Sequence, residues 1–202
     1  MPMKKQPSKL KPVLTPRVEQ GIRSFTLSFF SGSELIGLLA IELSYIEAPK
    51  TCEMFTQYCT FQNTTEKAKN KQYLYKNCPI KRFTNTGIQT GEVTPQPKPV
   101  PIADLEAEIG RVPHHLGVLS LCRSANSFDG SQFFICLTDD VNEISYLNSS
   151  HIAFARIVEG FDVISKLKES ILPYVGDDGV VDSSCQVCLS EIVAQISDRG
   201  CK

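Results

Sequence analysis

The chain has 202 residues, with 21 basic against 22 acidic side chains and a formal net charge of −1. That balance provides no strong field for a polyanion, which argues against nucleic acid, and no apolar run reaches the length of a membrane span. An apolar fraction of 42% on a chain of this size is enough for one domain with a full core.

Residues 1–23 read as a basic tail. Lys4, Lys5, Lys9, Lys11 and Arg17 face only Glu19 among scattered prolines, so the segment buries too little surface to order by itself. An acidic partner surface is the contact that such an arm would suit. The tail has no apolar signal-peptide core, which predicts a cytoplasmic, reducing location. From Ser24 the pattern alternates as a strand through Phe29. Ser31-Gly32-Ser33 then turns the chain into a second strand, Leu35 to Leu43, and the pair predicts a hairpin. Pro49 suits a first helical turn, and Cys52, Phe55 and Cys59, with Met54 and Tyr58, give that helix an apolar face. Thr60 to Lys71 is polar and lysine-rich, a surface loop. Two short strands around a turn are predicted over 73–93. Prolines at 95, 97, 99 and 101 then dictate an extended connection rather than a central strand.

Gly117 to Leu121 reads as a buried strand, and Arg123 to Asp129 as a polar loop. Gly130-Ser131-Gln132-Phe133-Phe134-Ile135-Cys136 follows as a strand with Gln132 and Phe134 on one face, Phe133 and Ile135 on the other. An amide and an aromatic sharing a face suggest a working surface in front of a core. Another strand covers His151 to Val158, a helix Phe161 to Glu169, and a last strand Val187 to Ile196. About eight strands with helices near the two ends predict a mainly β protein, a closed eight-stranded antiparallel barrel capped by two α-helices. The domain is expected to span 24–196, with a short C-terminal tail over 197–202.

The eight cysteines lack paired spacing, apart from Cys185-Gln186-Val187-Cys188. In a reducing compartment they read as small buried hydrophobes. A strand context without a nearby histidine disfavours both zinc and a redox pair at that C-x-x-C. The adjacent His114-His115 diverge on any extended segment and are taken as solvated, so no metal site and no cofactor are expected.

Several stretches fall in a recognisable order: Ala48-Pro49-Lys50-Thr51 with Glu53 and Phe55, Gln89-x-Gly91-Glu92, Gly117-Val118-Leu119-Ser120, Gly130 to Cys136, Tyr146-Leu147, His151-x-x-Phe154 and Val158-Glu159-Gly160. In this the chain resembles the cyclophilins, the cyclosporin-binding peptidyl-prolyl cis-trans isomerases. The resemblance runs over residues 24–196 and implies the same barrel, with an active groove on its outer face. It also implies a chemistry without nucleophile or metal. An apolar pocket grips the proline ring, and a guanidinium beside the prolyl nitrogen strengthens its hydrogen bond as the amide loses conjugation. The barrier being lowered is about 18–20 kcal/mol.

Residue by residue, Phe134, Leu147 and His151 fall on proline-pocket positions, and Gln89 and Gln132 on polar groove positions. Tyr146 stands where many members carry a tryptophan, which implies weaker cyclosporin binding. Counting back from Gln89, the catalytic arginine position holds Lys81, with Arg82 next to it; a one-residue bulge would return Arg82 to the groove. The pocket's Phe-Met pair becomes Thr86-Gly87, and Cys122 and Arg123 replace a small residue and an asparagine. Lysine lacks arginine's planar fork. Each lost apolar side chain forfeits about 1.5–3 kcal/mol of burial, so the deficit amounts to about a hundredfold or more in rate.

Two readings compete. One is an active isomerase assisting protein folding. The other, favoured by these departures, is a protein that binds X-Pro segments or a protein partner with weak or lost catalysis, as a scaffold within a larger assembly. The segment Asp139 to Ser145 and the proline loop would then serve as contact surfaces. A thiol-redox role rests on the cysteine count alone.

Overall fold

The structure is a computed structural model that describes residues 24–61 and 74–195. The two tails and most of the lysine-rich 60–71 loop lie outside the described residues. The strands are β1 (Ser24–Ser31), β2 (Glu34–Leu43), β3 (Thr60–Phe61), β4 (Lys76–Pro79), β5 (Arg82–Phe83), β6 (Gly87–Thr90), β7 (Val100–Pro101), β8 (Val118–Arg123), β9 (Ser127–Cys136), β10 (Ile152–Glu159) and β11 (Val187–Gln195). The helices are α1 (Pro49–Thr56), α2 (Ile102–Leu105), α3 (Val141–Ser150) and α4 (Asp162–Ile171). Among the described residues, no helix is long and apolar enough to cross a membrane.

Neighbouring strands pair in the order β11-β1-β2-β10-β8-β9-β6-β5. β4 pairs with β11 while β5, two residues further on, pairs with β6. The segment 76–83 therefore acts as one bent strand that joins the two ends of the sheet. Counting it once closes a ring of eight antiparallel strands, with β3 added in parallel outside β11 and β7 on the edge of β9. Closure removes the free edges that an open sheet of this size would expose.

Period-two alternation fills the ring. Phe25, Leu27, Phe29, Ile41, Ile88, Leu119, Phe133, Ile135, Leu189 and Ile192 are all fully buried. Phe55 of α1 plugs one end, with ring centroids 5.8 Å from Phe25, 5.3 Å from Tyr75, 5.8 Å from Phe133 and 5.1 Å from Phe154. α4 lies against β2 with Val163, Ile164, Leu167 and Ile171 inward. Gly37 permits that approach, since a Cβ there would lie 2.4 Å from a Val163 methyl.

Three expectations need correction. Beyond the two predicted helices, α3 takes in most of the Asp139 to Ser145 segment and runs on to Ser150, and α2 forms one further turn. The Asp140 carboxylate caps α3 by accepting from the amides of Asn142 (3.0 Å) and Glu143 (3.2 Å). Only Leu147 of that helix is buried, so its sequence carries no apolar stripe to announce it. Arg123 and Ser127–Asp129 belong to strands, and the turn between them is confined to 124–126. His151 caps the C-terminal end of α3 instead of opening a strand.

One polar contact organises the α1 end. Ala48 gives the helix no side-chain cap. Glu108 replaces it from 58 residues away, accepting from Lys50 N (2.7 Å), Thr51 N (3.1 Å) and Thr51 Oγ1 (2.7 Å), itself 4% exposed. A buried carboxylate on free helix amides satisfies both partners. Glu108→Ala leaves those donors stranded and is expected to cost about 2–3 kcal/mol, read as a lower urea midpoint at unchanged slope, with Glu108→Gln losing about half as much.

Candidate functional site

The side chains that the resemblance assigns to a groove lie on the outer face of β6, β8 and β9, beside the C-terminal half of α3. The placement follows from the strand alternation: with Phe133 in the barrel, Phe134 must face out. Val118, Cys136, Leu147 and Ala153 form a second small apolar cluster on this outer side, and Phe134 packs on it half-buried.

Phe134 is held from several directions. The His114 ring stacks on it, with centroids 6.4 Å apart and planes at 12°. His151 meets it edge-on at 5.8 Å, and the 63%-exposed Tyr146 meets His151 in turn at 5.8 Å. A Cβ placed on Gly87 would stand 2.9 Å from Phe134 Cδ2, so the ring rests directly on the glycine. Thr86 faces the turn, its Oγ1 2.8 Å from Thr84 Oγ1.

The polar side of the groove is a chain of amides. Gln89 Nε2 donates to Gln132 Oε1 (2.9 Å), and Gln132 Nε2 to Asp129 Oδ2 (3.1 Å). Asp129 Oδ1 also accepts the backbone amides of Ser131 (2.9 Å) and Gln132 (2.7 Å). Asp129 thus orients both glutamines, a role the sequence signalled by an Asp two residues before a strand serine.

Both cations expected near Gln89 are engaged elsewhere. Ile80 is buried and Phe83 packs on the core, which leaves Lys81 and Arg82 together opposite Gln89. Lys81 N donates to the Gln89 carbonyl (2.8 Å), and Arg82 is Gln89's pair in the ladder. Two residues facing one make a bulge. The Arg82 guanidinium donates to the Asp178 carbonyl (2.7 Å) in the 176–180 loop. Lys81 Nζ pairs with Glu92 Oε2 at 2.8 Å, and Glu92 Oε1 accepts from Gln96 (2.6 Å).

Cys122 and Arg123 end β8 beside this face. Burial, with Asp129 nearby, pushes the Cys122 thiol well up, which makes it an inert hydrophobe. The same holds for the buried Cys78, raised to about 12, and for Cys188 of the C-x-x-C. The seven described cysteines are all free, and a redox nucleophile needs the opposite shift. No cluster of three metal-ligating side chains occurs among the described residues.

His114 corrects a sequence expectation: it is 2% exposed, while His115 beside it is exposed. Asn148 Oδ1 accepts from the His114 backbone amide (2.9 Å) and from Nδ1–H (2.8 Å), and Nε2 lies 2.9 Å from Ser120 Oγ. A neutral ring meets these partners, and desolvation lowers its pKa despite the Asn148 contact. Burial, then electrostatic coupling to His114 and to the Arg123 charge, carries His151 from 6.5 down to about 4.

A histidine held neutral in the folded state destabilises that state in acid. Between pH 6.5 and about 4 the unfolded chain binds a proton that folded His151 refuses, so stability falls as pH drops through that window and levels off below it. Discounted for partial exposure, the loss is about 1–2 kcal/mol. Urea midpoints of the His151→Asn variant at pH 7 and pH 4.5 are expected to differ by that much less than those of the wild type.

With the geometry in place, comparison with known proteins is direct. A family model of the cyclophilin type peptidyl-prolyl cis-trans isomerase/CLD matches residues 29–187. The human protein named "Probable inactive peptidyl-prolyl cis-trans isomerase-like 6" is 30% identical over 142 residues, covering 67% of this chain and 44% of that protein. The chain thus spans less than half the length of this curated relative. The barrel, the order of the groove residues and the extent of the family match agree, and the chain belongs to the cyclophilin-type peptidyl-prolyl cis-trans isomerase family.

Proposed function

We propose that this protein binds X-Pro segments of a peptide or protein partner in the groove over Phe134, with weak or lost isomerase activity, and that it serves as a scaffold or assembly component. The observation that carries the reading is the state of the cation at the catalytic arginine position. Lys81 is committed to Glu92 at 2.8 Å, and ammonium offers no planar fork to a prolyl nitrogen. Arg82, the alternative, donates to the backbone carbonyl of Asp178. A directed donor that strengthens in the transition state is what the reaction requires.

The binding half of the proposal rests on what remains. Phe134, Leu147 and His151 form an apolar wall, and Gln89 and Gln132 are held in fixed orientation beside it. A hydrophobic floor with a few oriented polar groups is the usual make-up of a peptide-binding cleft. The name of the human relative, which calls that protein inactive, points the same way.

Two measurements test this. On a short X-Pro peptide the protein is expected to accelerate isomerisation at least about a hundredfold less than an active cyclophilin, a deficit of about 2.7 kcal/mol. Turnover equal to the active control, abolished by Lys81→Ala, would overturn the loss of catalysis. Peptide titration followed by NMR should shift Phe134, Leu147 and His151; no shift at these residues would overturn the binding site. Gly87→Met together with Thr86→Phe is not a simple restoration, because the methionine must first displace the Phe134 ring.

A further inference from the structure

Arg123, like Arg82, is a cation of the groove region that bonds a backbone carbonyl and no carboxylate among the described residues, and it is the one of the two that also lies over an aromatic ring. Its Nη1 donates to the Ser150 carbonyl at 2.6 Å, at the C-terminal end of α3 where free carbonyls attract positive charge. The guanidinium also lies over the Phe128 ring, 5.7 Å from its centroid. These two contacts fix a half-buried side chain in place. Nε and Nη2 have no hydrogen-bond partner among the described residues, and no carboxylate among them lies within ion-pairing distance. Asp129, the acid nearest in sequence, is turned to Ser131 and Gln132. By contrast, Lys81 and Arg156 each have a carboxylate partner.

The location matters as much as the vacancy. The Ser150 that anchors Arg123 precedes His151, whose ring is edge-on to Phe134, and its Oγ lies 2.8 Å from His151 Nδ1. Arg123 also contributes to the depressed pKa of His151, which places its charge within reach of that ring. The Nε–Nη2 edge is one of the two faces of a guanidinium that take a carboxylate or phosphate with paired hydrogen bonds.

We infer that Arg123 is a specificity residue that selects X-Pro ligands carrying an anionic side chain, a carboxylate or a phosphate, on a residue flanking the proline. The inference rests on the groove reading above and adds to it the chemistry of the ligand. The apolar wall takes the proline, and the anchored guanidinium takes the acid. Its cost is already met, since the side chain is ordered before the ligand arrives.

The test uses fluorescent peptides of one sequence with Gln, Glu or phosphoserine placed before or after the proline. At low ionic strength the acidic peptides are expected to bind about tenfold or more tightly than the Gln peptides, an advantage that shrinks in 0.5 M salt, roughly the screening range of buried-edge charges. Arg123→Gln should bring the ratio to about one while leaving the affinity for neutral peptides within about twofold, and Arg123→Lys should give an intermediate ratio. A merely structural role would weaken acidic and neutral peptides alike. Equal wild-type affinity for acidic and neutral peptides overturns the inference and leaves the groove reading standing, as does an acidic preference that survives in Arg123→Gln. Failure of every peptide to bind overturns both.

Discussion

Phe133 and Phe134 are adjacent on β9 and point to opposite sides of the same sheet, and most of the molecule is arranged around that alternation. Phe133 enters the aromatic cluster that α1 closes with Phe55. Phe134 is forced outward, where it needs its own support and finds it in Leu147, Val118 and Ala153. A slip of one residue in the register of β9 would exchange the two faces and destroy barrel and groove together. The register is held by the pairing of β9 with both β6 and β8, and by Tyr75, whose hydroxyl donates to the Ser131 carbonyl at 2.7 Å inside the barrel. Core and site are therefore one structural problem.

The charges around the groove residues are occupied unevenly. Lys81 and Glu92 neutralise each other with partial exposure on both sides, a pairing that contributes little to stability, about 0–1 kcal/mol. Its larger effect is to hold the ammonium near a carboxylate. On the other side of Phe134 the arrangement is reversed: Arg123 is fixed by a carbonyl and a ring, neither of which neutralises it. Of these cations, Lys81 is neutralised by Glu92, while Arg123 is not neutralised. His114 and His151, both held toward the neutral form, flank Phe134 without adding charge at neutral pH.

The Phe134 ring lies against the Gly87 backbone, where a Cβ would stand 2.9 Å from Cδ2. Phe134 remains part of an apolar surface with Val118, Leu147 and Ala153.

Local periodicity determined much of this protein. The alternation from Ser24 to Phe29 and from Gly130 to Cys136, the apolar face of α1 and the proline-spaced connection are all visible in the chain, and so are the barrel and the two faces of β9. The order of Gln89, Gln132, Phe134, Leu147 and His151 made the groove legible as well. Side-chain partners across long separations were not. That Glu108 caps α1, that Glu92 faces Lys81, that Arg82 bonds the Asp178 carbonyl, and that His114 is buried against α3 depend on which elements pack together and in what register. α3 itself escaped detection because a surface helix with one buried residue leaves no periodic trace. Periodicity assigns a residue to a face; only the packed structure decides what stands opposite it, and for Lys81 and Arg123 that neighbour sets the chemistry available to the site.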